Sequence, residues 1–361
     1  KRAPDIVETA TIVDAAGCAV LPGLIDCHTH LVFAGHRAHE FALRSRGATY
    51  AEIMAAGGGI RSTMSAVRAA SEEELLALAR PRLAAMLDRG VTVVEAKSGY
   101  GLSLDDELKC LRVLHALGAQ QPVEVTATFL GAHALPPEWE GQRARYVEVV
   151  CEEMLPAVAA QGLANACDIF VEQGAFTLDD ARRVLGKAKS LGLHTRMHAE
   201  QLSHTGAARL AAELGCLSAS HLEHARDDDI AALAEAGVVA EVLATAQVFL
   251  GMEQRIPGRK LIDAGVVVAV GTDLNPGSAP SSDLHLAAGL AITMCGLSAD
   301  EALLGITRQG ARALGRQDVG VVEVGARGDL CILDTADAYS LVYEWGRNHV
   351  AHVVCAGELV R

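Results

Sequence analysis

The run Asp26-Cys27-His28-Thr29-His30 sets two imidazoles two residues apart at the end of a short apolar stretch. In an extended backbone alternate side chains point to the same side, so His28 and His30 can reach one ion together. Imidazole suits zinc and iron, and a two-toothed clamp is the chemistry this spacing suggests. By itself a His-x-His pair is a weak signal, because a histidine at a strand end is more often simply packed or capped. The signal strengthens with His198 and His221, each closing a later apolar run, and with Asp273 just beyond another. Five such groups at the ends of four separate runs point to a metal centre equipped for proton transfer.

Those groups need elements to hold them. From 24 to about 271, short β-branched runs alternate with longer stretches of helical period, which is how βα units read. The pattern predicts strands at 24–29, 92–97, 123–129, 166–171, 193–198, 217–221, 238–243 and 266–271. Eight such units predict an α/β fold of the (β/α)8 TIM-barrel type, with helices over one face of each strand and a packed interior on the other. The five groups then fall on strands one, five, six and eight, at the face where barrel enzymes assemble their sites. Ser71 with Glu74 and Ser298 with Glu301 fit the capping box. Gly90, Gly118, Gly192 and Gly237 stand where helices should stop, and Pro81 should kink or split its helix. Loops are expected at 57–59 and 275–280. The ends differ: 9–20 and 319–360 are valine-rich, strand-like and dotted with turns, which predicts a small β-sandwich-like domain built from both termini. The expected division is 1–22 and 316–361 in that domain, with 23–315 in the barrel.

Composition narrows the function. The 361 residues carry 31 basic and 45 acidic side chains, a formal charge of -14. Such a surface repels phosphate backbones, so no nucleic-acid partner is expected. It also repels a small carboxylate at long range, so an anionic ligand needs a local cation. Nine scattered cysteines with no close pair read as buried thiols of a reducing compartment. With no run of about 18 apolar residues and no signal-peptide pattern, a cytoplasmic protein without a membrane partner is expected.

The run Pro22-Gly23-Leu24-Ile25-Asp26-Cys27-His28-Thr29-His30 resembles the opening signature of the amidohydrolase superfamily, (β/α)8 barrels with a flanking β-domain from both termini. Later segments resemble the imidazolonepropionase family within it. They are Leu31-Val32-Phe33-Ala34-Gly35 with Arg37, then Glu95-Ala96-Lys97-Ser98-Gly99-Tyr100-Gly101 and Phe129-Leu130-Gly131-Ala132-His133. His198-Ala199-Glu200-Gln201, Ser220-His221-Leu222-Glu223 and Thr272-Asp273-Leu274-Asn275-Pro276-Gly277-Ser278 follow in order. Two departures stand out. The family normally has further strands before the first histidine pair, which suggests truncation there, and 243–250 differs from the usual seventh strand.

The resemblance implies one metal ion, zinc or iron, held by His28, His30, His198 and Asp273. It implies substrate contacts from Arg37, Tyr100, His133, Gln201 and Ser278, and product contacts from Asn275 and Gly277. Seen alone, most of these would be ordinary packing, helix-start or turn residues. Arg37 supplies the cation that an acidic protein needs for a propanoate tail. Lys97 lies on the second strand, whereas two-metal relatives carry a bridging lysine on the fourth, so a structural role is expected. The implied reaction is hydrolysis of the ring amide C–N bond of 4-imidazolone-5-propanoate to N-formimidoyl-L-glutamate, in histidine degradation. The metal would activate water, and His221 and Asp273 are the candidates to move its proton. A small anionic imidazolone is therefore the expected partner, and a homodimer the expected assembly. Two readings compete. A deaminase-like relative acting on a neutral heterocyclic base shares the ligand set but gives Arg37 nothing to bind. A catalytically dead assembly subunit would be expected to have lost ligands that are all present here.

Overall fold

Each β-branched run between 24 and 271 does become a strand, because the apolar side chains on its two faces have a helix layer and a barrel interior to bury against. The computed structural model describes residues 12–48, 52 and 57–361. After a short β1 (Val20–Pro22) come eight parallel strands in sequential order: β2 (Leu24–Asp26), β3 (Val91–Lys97), β4 (Glu124–Ala132), β5 (Ala166–Ile169), β6 (His194–Ala199), β7 (Ser218–His221), β8 (Val239–Val242) and β9 (Val268–Val270). Helices lie between them, as the alternation requires. No ladder joins β9 to β2. The seam is closed one residue layer higher, where Thr29 bridges Leu274, Asp273 N–H donates to His28 O at 3.0 Å and His30 N–H donates to Leu274 O at 2.8 Å.

A second sheet takes β1 together with β10 (Leu330–Leu333), β11 (Val350–Cys355) and β12 (Glu358–Leu359), antiparallel in the order β1-β10-β11-β12. Residues 20–22 thus share one small sheet with strands from residues 330–359. The strand-like reading of 9–20 holds only at its last residue, since 12–19 run through a turn and 9–11 lie outside the described residues. Val319 to Val324 form no strand either: the segment is bend and turn, with Val322 and Val324 exposed.

Two apolar clusters hold the barrel. The larger fills the space between strands and helices, with Leu75, Leu83, Val94, Leu111, Phe129, Val184 and Leu233 buried. The smaller plugs the base of the barrel, where Ile25, Val93, Val239 and Ala269 meet Ala311, Ala313 and Leu314. Each fully buried Leu or Val contributes about 1.5–3 kcal/mol, so the frame does not depend on its polar centre. Between plug and mouth sits a layer of buried charge: Glu95, Lys97, Asp168, Arg196 and Glu241.

The punctuation worked in most places. Both capping boxes form, and Gly90, Gly192 and Gly237 take positive φ. Gly118 does not end its helix, which runs over Leu104–Gln120. It is there for space, since a Cβ would meet Val125 at 3.3 Å. Nor does Pro81 split its helix: Glu72–Leu87 is one element, and at the tenth position of sixteen the loss of one amide is outweighed by the buried face.

Candidate active site

The mouth of the barrel is a cavity of about 870 Å³ walled by residues from the loops after the strands. β2 ends at Asp26, two residues short of His28, yet the alternation persists. Thr29 stays bonded to β3 through Lys97 N–H at 2.9 Å and its own hydroxyl to Glu95 O at 2.7 Å, so His28 and His30 share the other side. From the helix Glu72–Leu87, Arg82 donates to Leu31 O and Phe33 O, both at 2.9 Å, and fixes the chain just beyond. His198 stands on β6 and His221 ends β7. Three residues at strand ends, His221, Leu222 and Asp273, have positive φ of 76°, 71° and 55°. Non-glycine residues hold that conformation only where surrounding structure imposes it, and such positions cluster at functional sites.

The donor atoms converge. His28 Nε2 lies 3.1 Å from His198 Nε2 and 3.6 Å from Asp273 Oδ1, and His30 Nε2 is also 3.6 Å from Asp273 Oδ1. Ligands at about 2.0–2.1 Å from one ion in a tetrahedron stand roughly 3.3 Å apart, so each of these pairs is spaced as donors to one cation, and the donor atoms form two triads that share His28, one with His30 and Asp273 and one with His198 and His221. The tautomers fit as well. His28 Nδ1 meets Glu241 Oε2 at 2.8 Å and His198 Nδ1 lies 3.0 Å from Asp168 Oδ2, which leaves both Nε2 atoms as bare donors. Burial, ahead of the neighbouring cations, holds His28 and His30 well below the usual imidazole range and therefore neutral. His221 shares this neighbourhood, because one of its nitrogens also comes within reach of His28 and His198.

Behind the donors the buried charges pair off. Glu241 also accepts from Arg196 at 2.7 Å and from the Ser220 hydroxyl at 2.7 Å. Lys97 is 2.8 Å from Glu95 and 2.9 Å from Asp168, so its ammonium stands between two carboxylates. Glu223 is fully buried 3.8 Å from His221 Nδ1, and neither of its oxygens has a hydrogen-bond partner. Asp168, Arg196, Glu241 and Glu223 were given no part from sequence. The available signal was an acid or arginine inside an otherwise apolar parallel strand, as in Val239-Ala240-Glu241-Val242, where it has to be partnered.

The remaining expected residues all line the cavity. Tyr100 and His133 face each other at 5.4 Å between ring centres, and His133 stacks on His30 at 5.0 Å. Burial lowers His133 to about 4, and its Nδ1 donates to Gly99 O at 2.9 Å, so its Nε2 is an acceptor. Burial pushes the Tyr100 hydroxyl upward, so it stays a donor. Gln201 is held by its neighbours: Glu200 accepts from Thr205 N at 2.7 Å and Glu172 from Leu202 N at 2.8 Å. Asn275 is spent on its own turn, its Oδ1 accepting Gly277 N and Ser278 N at 2.8 Å and its Nδ2 donating to Asp273 O at 2.7 Å. Arg37 lies against Gly277, where a Cβ would fall 2.1 Å from Nη1. The atypical 243–250 segment becomes a helix, Ala244–Leu250, that brings Phe249 to the wall, stacked on Phe41 at 5.1 Å.

A family model described as the amidohydrolase family matches residues 19–360. The chain is 52% identical over 348 residues to an imidazolonepropionase of Myxococcus xanthus (strain DK1622), covering 96% of this chain and 83% of that one. An imidazolonepropionase of Porphyromonas gingivalis (strain ATCC BAA-308 / W83) is 47% identical, with 99% and 85% covered. Among solved structures, a 5-methylcytosine deaminase from Klebsiella pneumoniae superposes with a TM-score of 0.78 at 18% identity, over 100% of this chain and 91% of the other. An adenosine deaminase from Xanthomonas campestris with bound zinc gives 0.66 at 23% identity, over 95% and 80%. At these identities the structures speak for the fold alone.

Proposed function

The chain belongs to the imidazolonepropionase branch of the amidohydrolase family, and from that premise we propose that it hydrolyses the ring amide C–N bond of 4-imidazolone-5-propanoate to N-formimidoyl-L-glutamate in histidine degradation. The observation that carries the substrate assignment is Arg37. In a chain of net charge -14 it puts a guanidinium in the wall of the same cavity as the converging imidazoles.

We assign the metal, one zinc or iron ion per subunit, to His28, His30, His198 and Asp273. When bound, such an ion lowers the pKa of water from about 16 towards 7 and so supplies the attacking hydroxide equivalent. The protein's own groups do the rest. The water adds to the ring carbonyl carbon, the C–N bond breaks, and the departing nitrogen takes a proton. His221 and Asp273 border that point and carry the proton from water to nitrogen, with buried Glu223 behind His221. His133 Nε2 accepts from a ring N–H, Tyr100 and Gln201 donate to ring heteroatoms, and Ser278 with the turn at Asn275 and Gly277 borders the product. The Arg37 guanidinium holds the propanoate. The enzyme is proposed to work as a cytoplasmic homodimer. Among the described residues no helix is long and apolar enough to cross a membrane.

The test is a spectrophotometric assay of imidazolone propanoate consumption by metal-replete protein, run beside Arg37→Met. A charge-assisted contact contributes about 1.5–3 kcal/mol, so the mutation should raise KM roughly tenfold or more. An analogue without the carboxylate should bind both proteins alike. Equal weakening of the uncharged analogue would remove Arg37 from carboxylate recognition, and neutral bases should then be assayed.

A further inference from the structure

We propose that Glu40 is a positioning residue for carboxylate recognition: it fixes the Arg37 guanidinium and ties it to the chain at 59–62 on the rim of the cavity. This rests on the reading of Arg37 above. Glu40 stands one helical turn beyond Arg37, in the helix Ala38–Arg44. Its Oε2 accepts from Arg37 Nε at 2.9 Å and lies 2.9 Å from Nη2. Its other oxygen accepts from Gly59 N at 3.1 Å and from the Ser62 hydroxyl at 3.3 Å. Both side chains of the pair are only 14% exposed.

The guanidinium is therefore clamped from two sides. Glu40 holds the Nε edge, and Gly277 lies so close to Nη1 that a side chain there would overlap the guanidinium. Of five N–H groups, those at the Nη1–Nη2 end meet no other acceptor among the described residues. That end is the part of a guanidinium that matches a carboxylate with two parallel bonds. Arginine's flexible stem is thus ordered before the ligand arrives, which spares binding that ordering cost. Glu40 also cancels much of the charge of Arg37. Long-range attraction is given up for direction, so the site should select a ligand for where its carboxylate lies and much less for being an anion.

The experiment is a cycle of wild type, Glu40→Gln, Arg37→Met and the double variant. Each is assayed on imidazolone propanoate and for competitive inhibition by 3-(imidazol-4-yl)propanoate and its methyl ester. Glutamine cannot serve both arms, since its one carbonyl faces either Arg37 or Gly59 and its amide opposes the other donor. Glu40→Gln should raise KM, and the inhibition constant of the acid, fivefold or more, with kcat and the ester's constant within twofold. In the Arg37→Met background it should add nothing. Ser62→Ala, which cuts part of the rim arm alone, should shift the acid in the same direction by a smaller factor. Metal content and thermal midpoint are measured alongside to show that the variants fold. Unchanged or tighter binding of the acid by Glu40→Gln, equal weakening of the ester, or additivity with Arg37→Met would overturn the proposal. If wild type turns over the substrate and only Arg37→Met loses the acid, the carboxylate reading survives and Glu40 alone is dismissed. If Arg37→Met fails to separate acid from ester, both fall.

Discussion

His221 is the residue whose part most needs separating by measurement, because a nitrogen of its ring shares a metal-sized cluster with those of His28 and His198. Its positive φ and the carboxylate of Glu223 behind it argue for a group held in one orientation to handle a proton. His221→Asn should keep its metal, measured by elemental analysis after desalting, and keep KM within a few-fold. Its kcat should fall by 10²–10⁴, the usual share of general acid–base catalysis. Loss of metal along with activity would make His221 a ligand. At this scale the placement was legible wherever residue type and strand-end position coincided, as at His28, His30, His198 and Asp273, which the structure buries at the mouth of the barrel. It was not legible for Glu241, Asp168 or Glu40. Glu241 and Asp168 each meet an imidazole brought close by the fold, and Glu40, though only three residues from Arg37, is an acid whose type does not announce which of its neighbours it will meet.

Elements were read well because their signals are local. All eight barrel strands fall within a few residues of the alternation that predicts them. The failures came where tertiary packing overrode a local rule. Gly118 sits inside a helix to make room for Val125, and the valines at 319–324 find no sheet to join. The helix Ala299–Gly305 offers a test of local chemistry. Glu301 closes a capping box with Ser298 and takes Arg259 at 2.9 and 3.0 Å. The Arg259 hydrogen bonds, then the Ser298 amide, hold Glu301 down to about 2 from an ordinary 4.5. A lowered acid stabilises the fold above its unfolded pKa and stops doing so as pH falls through its folded value. The side chain is partly solvated, so the contribution should be no more than about 1 kcal/mol. Glu301→Gln should therefore lower the urea midpoint at pH 7 without changing the slope, and the deficit should shrink as pH drops below about 4.5. A deficit that stays constant down to pH 3 would mean the carboxylate's charge is irrelevant.

Over the whole molecule, the apolar layers make eight of the nine cysteines inaccessible, and only Cys18 is part-exposed. Burial raises their thiols further, to about 12 at Cys295 and Cys331 and about 11 at Cys216 and Cys355. Native protein should therefore release about one equivalent of thionitrobenzoate from Ellman's reagent and nine in guanidinium chloride. Several fast equivalents under native conditions would show that the packed layers open readily. The barrel's seam carries a different lesson, about timing. The first sheet strand and the last are joined by the very stretch that bears His28, His30 and Asp273, residues encoded near opposite ends of the barrel. A ribosome that has released the two early histidines has made half a clamp, and an ion caught there would be held loosely and exchanged. The remaining donors of the proposed set arrive only when nearly the whole barrel has emerged and its two edges can meet. On the proposed ligand set, metal capture therefore follows closure of the ring.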